Sequence, residues 1–186
     1  ALKTLVLNNF FEVKGSYSVS HNTLTGLSVC CSRIFDVNPK KMSFDTPNLV
    51  LLEYSDTIAD KYPKVEFSSL VEARLDLRMT KDQLVKAKFS DDDRSLPVEM
   101  VASATNFFMG ICNVKVLHLS SDTLEVLTYC CKPIPEFNNL VHLTIQTDLE
   151  VSWESLPALL KNCPKLETLV FQVTTLTLYC ISLAFF

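Results

Sequence analysis

The chain has 186 residues, 48% of them hydrophobic and 20% charged, and a formal net charge of -4. That size and balance fit one globular domain with a substantial core and exclude a disordered tail, a fibre or a basic nucleic-acid-binding arm. The most apolar stretch, residues 173–186 (VTTLTLYCISLAFF), has fourteen residues, too few to cross a bilayer as a helix, and the first residues given do not resemble the basic and then apolar regions of a signal peptide. The expectation is an intracellular protein of the cytoplasm or nucleus, with no membrane or nucleic-acid partner.

Taken in chain order, a phrase of the form L-x-x-L-x-L recurs. It starts at Leu2 (LKTLVL), Leu24 (LTGLSV), Leu49 (LVLLEY) and Leu70 (LVEARL), then at Val114 (VKVLHL), Leu140 (LVHLTI) and Leu166 (LETLVF). Successive starts lie 22, 25, 21, 44, 26 and 26 residues apart, and six of the seven phrases carry Leu at the fourth position, Ala73 being the exception. The alternation inside each phrase predicts a short strand. The step of 44 equals two periods and predicts either a degenerate repeat or an insertion between residues 78 and 113.

The returns between phrases differ along the chain. Residues 35–48 (FDVNPKKMSFDTPN) carry no helical stripe, so extended or irregular returns are expected in the first half. Residues 97–109 predict a helix that opens on Pro97 and puts Val98, Val101, Ala102, Phe108 and Met109 on one face. Residues 122–131 predict a second, with Asp122-x-x-Glu125 as a capping box and Leu124, Leu127 and Cys131 as its stripe. Residues 153–163 predict a third, capped by Ser152, striped by Leu156, Leu159, Leu160 and Cys163, and stopped by Pro164. Asp91-Asp92-Asp93 reads as a solvated loop.

A strand and its return cannot bury both apolar edges alone; stacking on neighbours buries them. The expected fold is therefore α/β: a leucine-rich repeat solenoid over residues 1–172, with a curved parallel sheet on the concave side and helices or irregular returns on the convex side. Residues 173–186 are expected to form an atypical apolar tail. Leu52, Leu117, Leu143 and Leu169 should be the firmest core residues, and Phe107, Phe108, Phe137, Trp153 and Phe171 should pack rather than bind.

The phrases KKMSFDTPNLVLLEYSD, FSSLVEARLDLRM, SSDTLEVLTYCCKPIPEFNNLVHLTI and LLKNCPKLETLVF closely resemble the plant F-box/FBD/LRR-repeat proteins, over about residues 1 to 172. The resemblance implies a protein-recognition module: the substrate-binding repeats of an F-box subunit of a cullin-based ubiquitin ligase. It also implies an F-box before the repeats, which would dock on the Skp adaptor, and an FBD segment after them. Neither is legible here, so a truncated form is expected, which would meet the Skp adaptor only if an F-box exists in the full-length form. The alternative is a generic repeat scaffold whose partner has nothing to do with ubiquitination.

Catalytic signals are sparse, and an enzyme is not expected. The three glycines form no phosphate-binding loop, and the three histidines fall in different repeats. No Cys/His spacing suits a metal, and the seven cysteines read as small buried hydrophobes in a reducing compartment. Neither metal nor cofactor is expected. With the phrase leucines pointing inward, the intervening residues should line the concave face. Glu53, Arg74, Asp76, Arg78, His118, Thr144 and Gln146 are the candidate partner-binding residues, flanked by Asn8, Ser28, Ser55, Ser120 and Gln172. Arg74 and Arg78 could grip a partner's carboxylate; otherwise Arg74, Asp76 and Glu53 neutralise one another across adjacent strands.

Overall fold

Each of the seven leucine phrases becomes a strand. The computed structural model describes residues 1–8, 15–31, 36–88, 96–147 and 154–173. The elements are β1 (Thr4–Asn8), β2 (Ser16–Ser20), β3 (Gly26–Cys30), β4 (Lys41–Asp45), β5 (Leu51–Thr57), β6 (Val65–Glu66), β7 (Glu72–Arg78), α1 (Lys81–Lys88), α2 (Val98–Ile111), β8 (Val116–Leu119), α3 (Ser121–Cys130), β9 (His142–Thr147), α4 (Leu156–Lys161) and β10 (Thr168–Val173). Asp91, Asp92, Asp93, Ser152, Trp153 and residues 174–186 of the expected tail lie outside the described residues.

The large sheet has the order β1-β3-β5-β7-β8-β9-β10, and every neighbouring pair is parallel. Its register reproduces the phrase alignment. Leu5, Leu27, Leu52, Ala73, Leu117, Leu143 and Leu169 form one row across the strands, and Leu7, Val29, Tyr54, Leu75, Leu119, Ile145 and Phe171 form the next inward row. A backbone ladder runs just ahead of the strands. The second residue of each phrase donates its N–H to the carbonyl of its counterpart in the preceding phrase, as Val71 does to Val50 (2.9 Å), Lys115 to Val71 (2.8 Å) and Val141 to Lys115 (2.9 Å). Because β7 pairs directly with β8, the long sequence step is an insertion. Its described residues build α1 and α2 and add no rung to the sheet.

Behind the first strands the returns are extended, as the sequence implies, but they are also regular. β2, β4 and β6 make a second parallel sheet. Alternation puts Met42 and Phe44 of β4 inward and fully buried, and the Phe44 ring meets Tyr54 of the large sheet edge-on at 5.3 Å. Behind the later strands the returns are α2, α3 and α4. Phe107 of α2 reaches into the strand-backed half, with ring centroids 5.7 Å from Tyr54 and 4.8 Å from Tyr62. Gly110 lets α2 lie against β6, where a Cβ would collide with the Val65 side chain. One hydrophobic cluster runs from Val19 to Cys163. This α/β architecture is compatible with the leucine-rich repeat fold.

Several local expectations need correcting. The buried face of α2 carries Met100, Ala104, Phe107, Phe108 and Ile111. Val98 is 84% exposed and Met109 is exposed as well, because the helix is rotated by about one residue to follow the phenylalanines. Helix α3 is capped by Ser120, whose side chain accepts from the Thr123 N–H (3.2 Å), and not by a box on Asp122. Cys131 falls just after the helix yet is buried. Leu169 and Phe171 occupy the inward rows but are 37% and 47% exposed, since β10 is the last strand of the sheet among the described residues. Cys30 is exposed while its neighbour Cys31 is buried, the opposite orientation that consecutive strand residues must take.

Candidate interaction surface

Outward-facing residues of the large sheet form transverse rows. One reads Ser28, Glu53, Arg74, His118 and Thr144 from β3 to β9, and the next starts with Cys30, Ser55 and Asp76. Across these rows lies an open hollow of about 460 Å³. Its walls bring together Glu53, Arg74, Asp76, His118 and Gln146, five of the seven candidate residues, with Ser28, Ser55, Ser120 and Gln172 from the flanking set.

The other two candidates behave differently. Thr144 shares the row but is only 2% exposed. It is a short side chain whose hydroxyl sits 3.2 Å from His142 Nε2, so it lies beneath the surface a partner would touch. Arg78 stands at the end of β7, outside the hollow, and its charge acts on buried Cys31 and Asp56. Asn8, on the first strand, is also outside the lining.

The charges in the hollow satisfy one another first. Arg74 Nε donates to Glu72 Oε1 at 2.7 Å and its Nη1 to Glu53 Oε1 at 3.3 Å. Ser55 donates to Asp76 Oδ2 at 2.9 Å. The expected two-pronged Arg74–Arg78 grip on a carboxylate is therefore not formed: Arg74 lies between two glutamates of its own sheet, and Arg78 lies apart. The pairs are half exposed, so they set geometry more than stability. His118 Nε2 lies 3.5 Å from Glu72 Oε1, and its ring centroid is 6.2 Å from that of His142. Burial and the nearby Arg74 charge lower the His118 pKa below the usual histidine value, against the opposing pull of Glu72. The imidazole is thus neutral at physiological pH.

Glu72 and His142 are members of this network that the initial candidate set lacks. Both sit at the third position of their phrases, in register through Val116, and the period of two extended one step back along each strand would have found them. Below the hollow, Asp56 is 3% exposed. Desolvation pushes its carboxyl up to about 6, although the Thr57 N–H holds one oxygen at 2.7 Å. Burial likewise raises the Cys31 thiol to about 12. Among the described residues no group of three or more His, Cys, Asp or Glu side chains is placed to hold a metal, and no helix is long and apolar enough to cross a membrane.

Two F-box/LRR-repeat proteins of Arabidopsis thaliana are 54% and 55% identical to this sequence over 92% and 91% of its length. A third protein of the same plant, named as an F-box/FBD/LRR-repeat protein, is 56% identical over 83%. The chain is thus a member of this plant F-box/LRR-repeat family, a kinship consistent with a protein-interaction module. It spans well under half the length of the curated relatives it matches, 38%, 44% and 29% of these three. No family model and no solved structure matches the chain.

Proposed function

We propose that this chain is the substrate-holding repeat segment of an F-box subunit of a cullin-based ubiquitin ligase, acting in the cytoplasm or nucleus. In this reading residues 1–172 form a leucine-rich repeat solenoid whose large sheet is the concave side, and the hollow across it is where a protein substrate sits. The observation that carries the reading is the register. Seven phrase-bearing strands align so that every leucine row faces the core, which leaves one polar face continuous enough for Ser28 of β3 and Gln172 of β10 to line the same hollow. Glu53, Arg74, Asp76, His118 and Gln146 are its contact residues. The F-box that docks on the Skp adaptor is the family's, and the selection of what is ubiquitinated is this segment's.

The test is an exchange. This chain replaces the matching segment of an Arabidopsis F-box/LRR-repeat relative, and the proteins ubiquitinated by the assembled ligase are quantified by mass spectrometry. The exchange should redirect the set of modified proteins. Ser55→Arg, which fills the hollow, should abolish the redirection, whereas Lys86→Ala on α1 should leave it intact. A substrate set that ignores both the exchange and Ser55→Arg would overturn the reading.

A further inference from the structure

We infer that copies of this chain join head to tail, the open edge of β10 in one copy taking β1 of the next as a further parallel strand. The inference goes beyond the recognition role above and does not depend on it. Among the described residues β1 and β10 are the two end strands of the large sheet. Five of the eleven large apolar side chains exposed among the described residues lie in or beside them: Leu2, Val6, Leu169, Phe171 and Val173. Leu27, Leu52, Leu117 and Leu143 share a row with Leu169 and are buried, so its end position exposes Leu169, and not its place in the phrase. An apolar strand edge of this kind is a template for another strand.

The two edges match as successive phrases match. Among the described residues the backbone ladder ends at Glu167, whose counterparts Val71, Lys115 and Val141 each accept from the second and third residues of the following phrase. In the first phrase those residues are Lys3 and Thr4. Gly26 is registered with Thr4 and donates to the Lys3 carbonyl (3.1 Å). N–H groups alternate in direction along a strand, so those of Thr4, Val6 and Asn8 point to the open edge. Continuing the phrase alignment sets Leu5 beside Leu169 and Leu7 beside Phe171, which extends both inward rows. On the outward face Asn8 falls beside Gln172, a pair that can hydrogen-bond. At the second position Lys3 falls beside Glu167, opposite charges meeting across the joint. Gln172 lines the hollow, so the joint carries its polar face on to Asn8 of the next copy. Because the two edges differ, each added copy leaves one edge open, and assembly continues beyond the dimer.

Sedimentation velocity on the 186-residue chain between about 1 and 100 μM reads the assembly. The mean mass should pass twice the chain mass and go on rising. Val6→Pro removes an open-edge N–H and leaves the bonds to β3, a place where an edge strand tolerates proline. It should weaken association about tenfold or more, and Leu169→Pro should do the same from the β10 side. A mixture of these two variants should stop at the dimer, since only one matching pair of open edges remains. Lys3→Glu and Glu167→Lys should each weaken association about threefold, and one chain carrying both should recover it. This charge exchange leaves every strand bond in place, so it decides the matter even where a proline variant fails to fold. A chain that stays monomeric throughout, a wild-type mass that halts at the dimer, or a double charge variant no stronger than the singles would overturn the inference.

Discussion

The strands β3 and β5 and the strands β8 and β9 belong to one sheet and obey one leucine phrase, yet they are backed in different ways. Behind the first pair lies a second sheet whose backbone bonds run between successive returns, as from the Met42 N–H to the Lys61 carbonyl (2.9 Å) and from the Phe44 N–H to the Lys64 carbonyl (2.8 Å). Behind the second pair lie helices, which satisfy their own backbone and join the rest through side chains, as Ser155 does to the Leu124 carbonyl (3.2 Å). The phrase thus asks of a return only that it present an apolar side to the sheet. What changes is coupling: a strand return depends on its neighbours for hydrogen bonds, and a helical one does not.

Phe107 is where the two kinds of backing meet. It is fully buried, belongs to helix α2, and packs on Phe44, Tyr54 and Tyr62 of the strand-backed half. Phe107→Ala should cost about 3–5 kcal/mol, read from denaturant unfolding, and should lower both halves together. A variant that melts the helical half alone would show that the two halves fold as separate units.

Asp56 tests the strand-backed half by itself. The charged groups facing it are Arg78 and, when ionised, Cys31, Tyr17, Tyr54 and Tyr62. Its pKa is raised from 3.8 to about 6, so the folded state holds this proton more tightly than the unfolded chain. The resulting stabilisation is complete below the unfolded value and is lost as pH rises through the folded one. Wild-type stability relative to Asp56→Asn should therefore decline by about 3 kcal/mol between acid and neutral pH. Thermal unfolding of both proteins across that range checks it, and a constant difference would refute the assignment to Asp56.

The junction also shows what the sequence could and could not disclose. Period two located the strands and their register, and hence Glu53, Arg74, Asp76, His118 and Gln146, because alternation is a backbone property that survives substitution. It could not report depth, so Thr144 and Arg78 looked equivalent to residues that reach the hollow. Nor could it reveal Thr123, whose role depends on strand lengths. β8 stops at Leu119 while β7 continues to Arg78, and the Thr123 hydroxyl takes over from the missing strand. It accepts from the Leu77 N–H (2.8 Å) and donates to the Leu75 carbonyl (3.1 Å). Thr123→Val keeps the shape and removes both bonds, and should cost about 1–3 kcal/mol. Thr123→Ser should restore most of it. Equal losses in the two variants would mean that the methyl group, and not the hydroxyl, matters here.

The smallest effect belongs to the helical face that sequence periodicity placed wrongly. The expected stripe through Val98, Val101, Ala102, Phe108 and Met109 shares only Phe108 with the buried one through Met100, Ala104, Phe107 and Phe108, and spacing alone gives both a helical period. The second wins because the Phe107 ring has a partner, the Phe44–Tyr54–Tyr62 aromatic group across the core, whereas Val98 faces outward beside Pro97 at the helix start. Val98→Ser should accordingly change stability by no more than about 0.5 kcal/mol, with Met100→Ala as the buried control expected to lose about 2–5 kcal/mol. Comparable losses at both positions would restore the Val98 face to the core. The helix would then have to turn Phe107 away from the strand-backed half, and the seam between the two kinds of backing would disappear with it.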